Sequence, residues 1–202
     1  MSAQPTLLVM LPGAYDSPAD FTTHGFDTLA CAAGFDWHGH PTDLTAVADG
    51  RLVHDLYAQV LRPAREQGRR IVLGGISIGG LMALACQDCY PDSADALVLL
   101  APYPGNRSIT RQIASQGGVR QWAPGELPEG EGELRGWRAL KRLSARRPPA
   151  LWLGYGRQDR FATGHALMAE ALPPAQVSTV DGGHDWPTWR TLWAELMTRG
   201  LA

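Results

Sequence analysis

The sequence predicts an α/β domain, a mostly parallel six-stranded sheet with helices on both faces. Three observations carry that prediction. Short, uniformly apolar runs recur along the chain, as strands buried on both faces of a parallel sheet require. Amphipathic stretches of helical period separate them, and this alternation is the mark of strand–helix–strand units. Gly (23) and Pro (15) are plentiful among 202 residues, which suits many tight turns between short elements.

The elements follow in order. Leu7-Leu8-Val9-Met10-Leu11 is apolar throughout and is stopped by Pro12-Gly13, giving the first strand. Residues 17–33 read as a helix capped by Asp16 or Ser17, with Phe21, Leu29 and Ala30 turned inward. Phe35-Asp36-Trp37-His38 is a weak second strand. Asp49 caps an amphipathic helix in which Leu52, Val53, Leu56, Tyr57, Val60 and Leu61 share a face, and Gly68 ends it. Arg70–Leu73 is the third strand, with a helix over 79–89 after it; Ala96–Leu100 and Ala150–Gly154 are the fourth and fifth. A helix over 163–172 leads to a sixth strand, Val177–Val180. The last helix places Trp189, Leu192, Trp193, Leu196 and Met197 on one face.

Composition narrows the function classes. The length fits one domain over residues 1–202. With 18 basic against 20 acidic residues and 45% hydrophobic content, neither a disordered chain nor a general nucleic-acid binder is expected. Cys31, Cys86 and Cys89 are too few for a disulfide framework. The apolar run Leu7–Leu11 is too short for a signal-peptide core, and no stretch is long enough to span a bilayer. The expectation is a soluble cytoplasmic protein with no membrane partner; its oligomeric state is open. Residues 105–147 break the rhythm, with nine basic and four acidic residues, a local +5 that leaves −7 for the rest of the net −2. This stretch is expected to be a cap-like insertion over a site. Its surface is either simply solvated, or its Arg107, Arg111, Arg120, Arg138 and Arg142 attract an anionic substrate or carrier.

The most specific motif is Gly75-Ile76-Ser77-Ile78-Gly79, a G-x-S-x-G between a predicted strand and a predicted helix. A serine on so sharp a turn projects its hydroxyl out of the sheet, and bulky residues two positions away would clash. The helix N-terminus supplies positive potential where an oxyanion would form. A serine needs a base, and the base a carboxylate. Asp159, after the fifth strand, and His184, after the sixth, supply them in the chain order Ser, Asp, His, all at carboxyl ends of strands. The amides of Ile78 and Ala14, the latter in Leu11-Pro12-Gly13-Ala14-Tyr15, are the expected oxyanion donors. Tyr15 and Trp186 are candidates for walling a substrate pocket.

These residues resemble the α/β-hydrolase family across nearly the whole chain: Leu-Pro-Gly, Gly-Ile-Ser-Ile-Gly-Gly, Gly-Arg-Gln-Asp and Gly-Gly-His. The resemblance implies Ser77 as nucleophile, His184 as base and Asp159 as the acid. Gly-Gly-His-Asp-Trp-Pro-Thr-Trp is also similar to the catalytic-His segment of some carboxylesterases. Two departures stand out. Pro12 replaces the usual His, which matters little if only backbone is used, and the two customary leading antiparallel strands are missing, leaving a sheet edge less protected.

The expected activity is hydrolysis of a carboxylic ester of a small or medium acyl group, with no metal and no cofactor. An acyl-thioesterase acting on CoA- or carrier-bound chains is the alternative enzyme, and a non-catalytic binding protein on a hydrolase scaffold is the alternative of another class. Gly74–Gly80 matches neither nucleotide-loop pattern. Cys86-Gln87-Asp88-Cys89 has redox spacing but falls late in a helix, so two packed thiols are expected. His38-Gly39-His40 lacks a third ligand at metal-binding spacing. Trp189 and Trp193 are expected to pack in the core.

Overall fold

The computed structural model describes residues 5–127, 132–146 and 150–200. Six strands, β1 (Leu7–Leu11), β2 (Asp36–Gly39), β3 (Ile71–Ile76), β4 (Ala96–Leu100), β5 (Leu151–Gly156) and β6 (Val177–Val180), form one sheet. Their spatial order is β2-β1-β3-β4-β5-β6, and every neighbouring pair is parallel. All carboxyl ends therefore lie along one edge of the sheet, the edge where open α/β sheets place their sites.

Period-two alternation feeds two cores. Leu7, Val9, Leu11, Leu73, Leu97 and Leu99 face one layer, which holds α3 (Leu44–Ala48), α4 (Arg51–Leu56), α5 (Arg62–Glu66), α6 (Ile78–Cys89), α7 (Arg107–Ser115), α8 (Gly132–Ser144) and α9 (Ala162–Ala169). Leu8, Met10, Val72, Val98 and Leu100 face the other, made by α1 (Pro18–Thr23), α2 (Phe26–Ala32) and α10 (Trp186–Arg199). There Phe26 stacks on Trp193 at 4.9 Å, and the Trp193 indole N–H donates to the Phe26 carbonyl at 3.0 Å.

Several predicted elements are adjusted. The helix expected over 17–33 is broken at His24-Gly25, where Gly25 takes φ +75°. Phe26 then takes an inward position, and Leu29, expected inside, is 40% exposed. The Asp49-capped helix becomes α4, a π turn at Tyr57–Leu61, and α5. That turn precedes Pro63, which has no N–H to give and crowds the carbonyl of Gln59. β3 continues through Gly74 and Gly75 to Ile76, so the glycine pair belongs to the strand.

The basic stretch 105–147 contributes a core helix. α8 packs along α6, with Trp137, Leu140 and Leu143 buried. Its arginines answer a buried carboxylate: Arg138 donates to Asp88 at 2.9 and 2.6 Å, Arg135 lies at 3.4 Å and Arg142 at 3.6 Å, and the Asp88 carboxylate has no exposure. Arg120 donates to the Ala171 carbonyl at 3.3 Å. Three of the cations offered for an anionic substrate, Arg120, Arg138 and Arg142, are thus engaged with the protein itself.

Candidate active site

The turn from β3 into α6 explains its own sequence. A Cβ on Gly79 would overlap the backbone of Leu11 and Pro12, and one on Gly75 would overlap Gly79. No side chain fits at either position. Ser77 between them sits at φ +54°, ψ −120°, a conformation costing on the order of 1–3 kcal/mol for a non-glycine residue. Three backbone bonds fix it: its N–H donates to Leu100 at 3.0 Å, and its carbonyl accepts from Tyr103 at 2.8 Å and Leu81 at 3.2 Å.

The three side chains singled out by the motif converge. Ser77 Oγ lies 2.9 Å from His184 Nε2, and His184 Nδ1 lies 2.7 Å from Asp159 Oδ2. An ionised carboxylate only accepts, so Nδ1 carries the imidazole proton and Nε2 is free to accept from the serine hydroxyl. Burial alone would push the Asp159 carboxyl up, but hydrogen bonds from His184 and from the Phe161 N–H, at 2.7 Å, hold it below the usual carboxylate range. The imidazole is clamped edgewise by Phe161 at 5.2 Å and Trp189 at 5.1 Å. The acid and histidine loops are braced together, since Arg157 N–H donates to Val180 at 2.8 Å and Gln158 N–H to Gly182 at 3.0 Å.

Ile78 opens α6, so its N–H is among those with no intrahelical partner. The loop after β1 lies beside it. A Cβ on Gly13 would stand 3.8 Å from Ser77 Cβ, and Thr42 Oγ1 donates to the Pro12 carbonyl at 2.9 Å, anchoring the loop that carries Ala14. Tyr15 is 95% exposed at the tip of this loop. The Trp186 indole stacks on His24 at 4.2 Å and donates to Asp16 Oδ1 at 3.1 Å, tying the loop to the start of α10.

Sequence reasoning did not single out Asp16, Tyr103, Phe161 or His165 for the site. Phe161 had a signal, standing two residues after the acid; the others are ordinary residues of a loop, a turn and an apolar helix. Elsewhere, Cys86 is buried with its thiol pushed up to about 12 by burial, which removes thiolate chemistry. His38 and His40 lie 5.8 Å apart between ring centroids, and among the described residues no group of three or more His, Cys, Asp or Glu could hold a metal ion. No helix among the described residues is long and apolar enough to cross a membrane.

With this geometry in hand, comparison with known proteins defines the class. The sequence profile of the alpha/beta hydrolase family matches residues 8–200. The chain belongs to that family of enzymes. Among solved structures it is similar to the fluorophosphonate-binding serine hydrolase F of Staphylococcus aureus, with TM-score 0.71 and 15% identity over 100% of this chain and 86% of that one. It is also similar to Est1E of Butyrivibrio proteoclasticus, with TM-score 0.64 and 13% identity over 98% and 89% of the two chains. The S-formylglutathione hydrolase of Staphylococcus aureus gives TM-score 0.63 and 15% identity over 100% and 84%. At these identities the likeness is one of fold. No curated protein matches the sequence.

Proposed function

We propose that the protein is a serine hydrolase that cleaves carboxylic esters of small or medium acyl groups through an acyl-enzyme. The continuous Ser77–His184–Asp159 hydrogen-bond chain carries this reading. Ser77 Oγ attacks the ester carbonyl as His184 Nε2 takes its proton; Asp159 holds the imidazole and stabilises its charged form. The Ile78 and Ala14 amides receive the oxyanion. His184 then gives its proton to the departing alkoxide and activates a water against the acyl-enzyme.

A strained serine held within proton-transfer reach of an oriented imidazole also argues against a purely binding role. An acyl thioester would pass through the same intermediate; Arg120, Arg138 and Arg142, among the cations that would favour a CoA-bound substrate, are held by the Ala171 carbonyl and the Asp88 carboxylate. The test is turnover of p-nitrophenyl acetate, butyrate and octanoate alongside an acyl-thioester. Ser77→Ala should lose about 10³-fold or more in kcat on the best substrate while keeping its thermal midpoint. Retention of the parent rate would refute the assignment.

A further inference from the structure

We propose that His165 is a positioning residue for this site: held as its Nε2–H tautomer, it ties the helix behind Asp159 to the turn that holds Ser77. The inference rests on the serine-hydrolase reading and adds a residue to it. His165 lies on α9 with no exposure. Its Nε2 is 2.8 Å from the Pro102 carbonyl, and a carbonyl only accepts, so Nε2 bears the proton. Nδ1 is then a buried acceptor, and among the described residues it has no hydrogen-bond partner.

An apolar side chain at this position would avoid that uncompensated nitrogen, whose burial is unfavourable. What the imidazole provides instead is one donor aimed at one carbonyl. That carbonyl belongs to a strained turn, because Ala101 before it sits at φ +44°. The residue after it, Tyr103, donates its N–H to the Ser77 carbonyl at 2.8 Å. On the other side, the His165 N–H donates to the Phe161 carbonyl at 3.0 Å, and the Phe161 N–H donates to Asp159 Oδ1 at 2.7 Å. The path therefore runs from Asp159 through Phe161 and His165 to Pro102, Tyr103 and Ser77. It spans the acid and nucleophile arms without passing through His184.

The surroundings keep the imidazole neutral. Burial lowers its affinity for a proton, and the nearby His184 acts the same way, against the opposing pull of Asp159 and the Pro102 and Ala101 carbonyls. Tyr155, at 5.1 Å, and Phe161, at 6.4 Å, enclose the ring.

The experiment compares His165→Leu, which removes the donor, with His165→Gln, which keeps an N–H of similar reach. Active sites are counted with a fluorophosphonate, so kcat refers to labelled Ser77 only. His165→Leu should lose roughly 10- to 100-fold in kcat per labelled site with KM changed less than about twofold. His165→Gln should recover to within about threefold of the parent. A folded Leu variant with parental kcat per site, or a Gln variant as impaired as the Leu variant, would overturn the proposal. Should the Leu variant fail to fold, imidazole ¹⁵N spectra of the unaltered protein decide. The Nε2–H tautomer and a His165 signal displaced on phosphonylation of Ser77 are expected; the Nδ1–H tautomer, or an unmoved signal, contradicts the proposal. A parent that is never labelled at Ser77 refutes the hydrolase reading and this inference with it. A labelled parent with an indifferent His165 refutes this inference alone.

Discussion

At the N-terminal end of α6, Ser77 is 8% exposed and gathers partners from the ends of separate strands. At the C-terminal end of the same helix, Asp88 has no exposed carboxylate surface and gathers three arginines from α8 alone. Both ends bury polar groups, yet they differ in kind. The serine cluster holds a strained backbone and leaves a hydroxyl within proton-transfer distance of a base. The aspartate carboxylate is saturated with cations, and it staples two helices of one layer. Burial and charge alone do not mark a reactive site; reach, orientation and an unsatisfied step of chemistry do.

That contrast predicts opposite phenotypes. Asp159→Asn should leave the fold intact and reduce kcat by about 10²- to 10⁴-fold, because the amide no longer fixes the Nδ1–H tautomer of His184. Steady-state kinetics of the variant decide, and a change of less than about tenfold would remove Asp159 from the proposed role. Asp88→Asn should do the reverse. Stranding three arginines at a buried position costs about 2–3 kcal/mol, below the 3–5 of a fully buried pair because the arginines keep some solvent. Urea midpoints should fall accordingly, while kcat per fluorophosphonate-labelled site stays at the parent value.

A smaller effect is spread over three histidines, one on β2, one just after it and one on α9. Burial holds the His38, His40 and His165 imidazoles below their ordinary value. The fold therefore keeps them neutral while the unfolded chain takes up protons below about pH 6.5. The unfolded state binds more protons, so stability falls as pH drops from 6.5 toward the folded values. The slope is at most about 1.4 kcal/mol per pH unit for each imidazole, less for the partly exposed His38. Asp159 acts in the same direction at lower pH, its contribution lost only as pH falls below 3.8 through its depressed folded value. Denaturation midpoints measured from about pH 8 to 5 should show the decline, and a flat profile between 7 and 5.5 would contradict it.

Much of this was legible in the sequence. β1 and β4 match their apolar runs residue for residue, because a strand buried on both faces has little freedom in composition; β6, the half-polar edge strand Val-Ser-Thr-Val, also keeps its expected bounds. The Ser77, Asp159 and His184 convergence followed from topology: parallel strands bring their carboxyl ends to one edge whatever lies between them. The α8 helix was hidden, since its arginines read as a solvated surface until Asp88 supplied their reason to be inside. His165 was hidden too. A lone histidine among Ala, Gly, Leu and Met looks like core filling, and only the Pro102 carbonyl, 63 positions away in the chain, gives it a partner.

The most direct test of the central claim is fluorophosphonate labelling of the parent and of Ser77→Ala, followed by peptide mapping. A single adduct on the peptide carrying Gly75-Ile76-Ser77-Ile78-Gly79, abolished in the variant, is the predicted result. Absence of labelling in a folded parent, or an adduct that persists in Ser77→Ala, would contradict it.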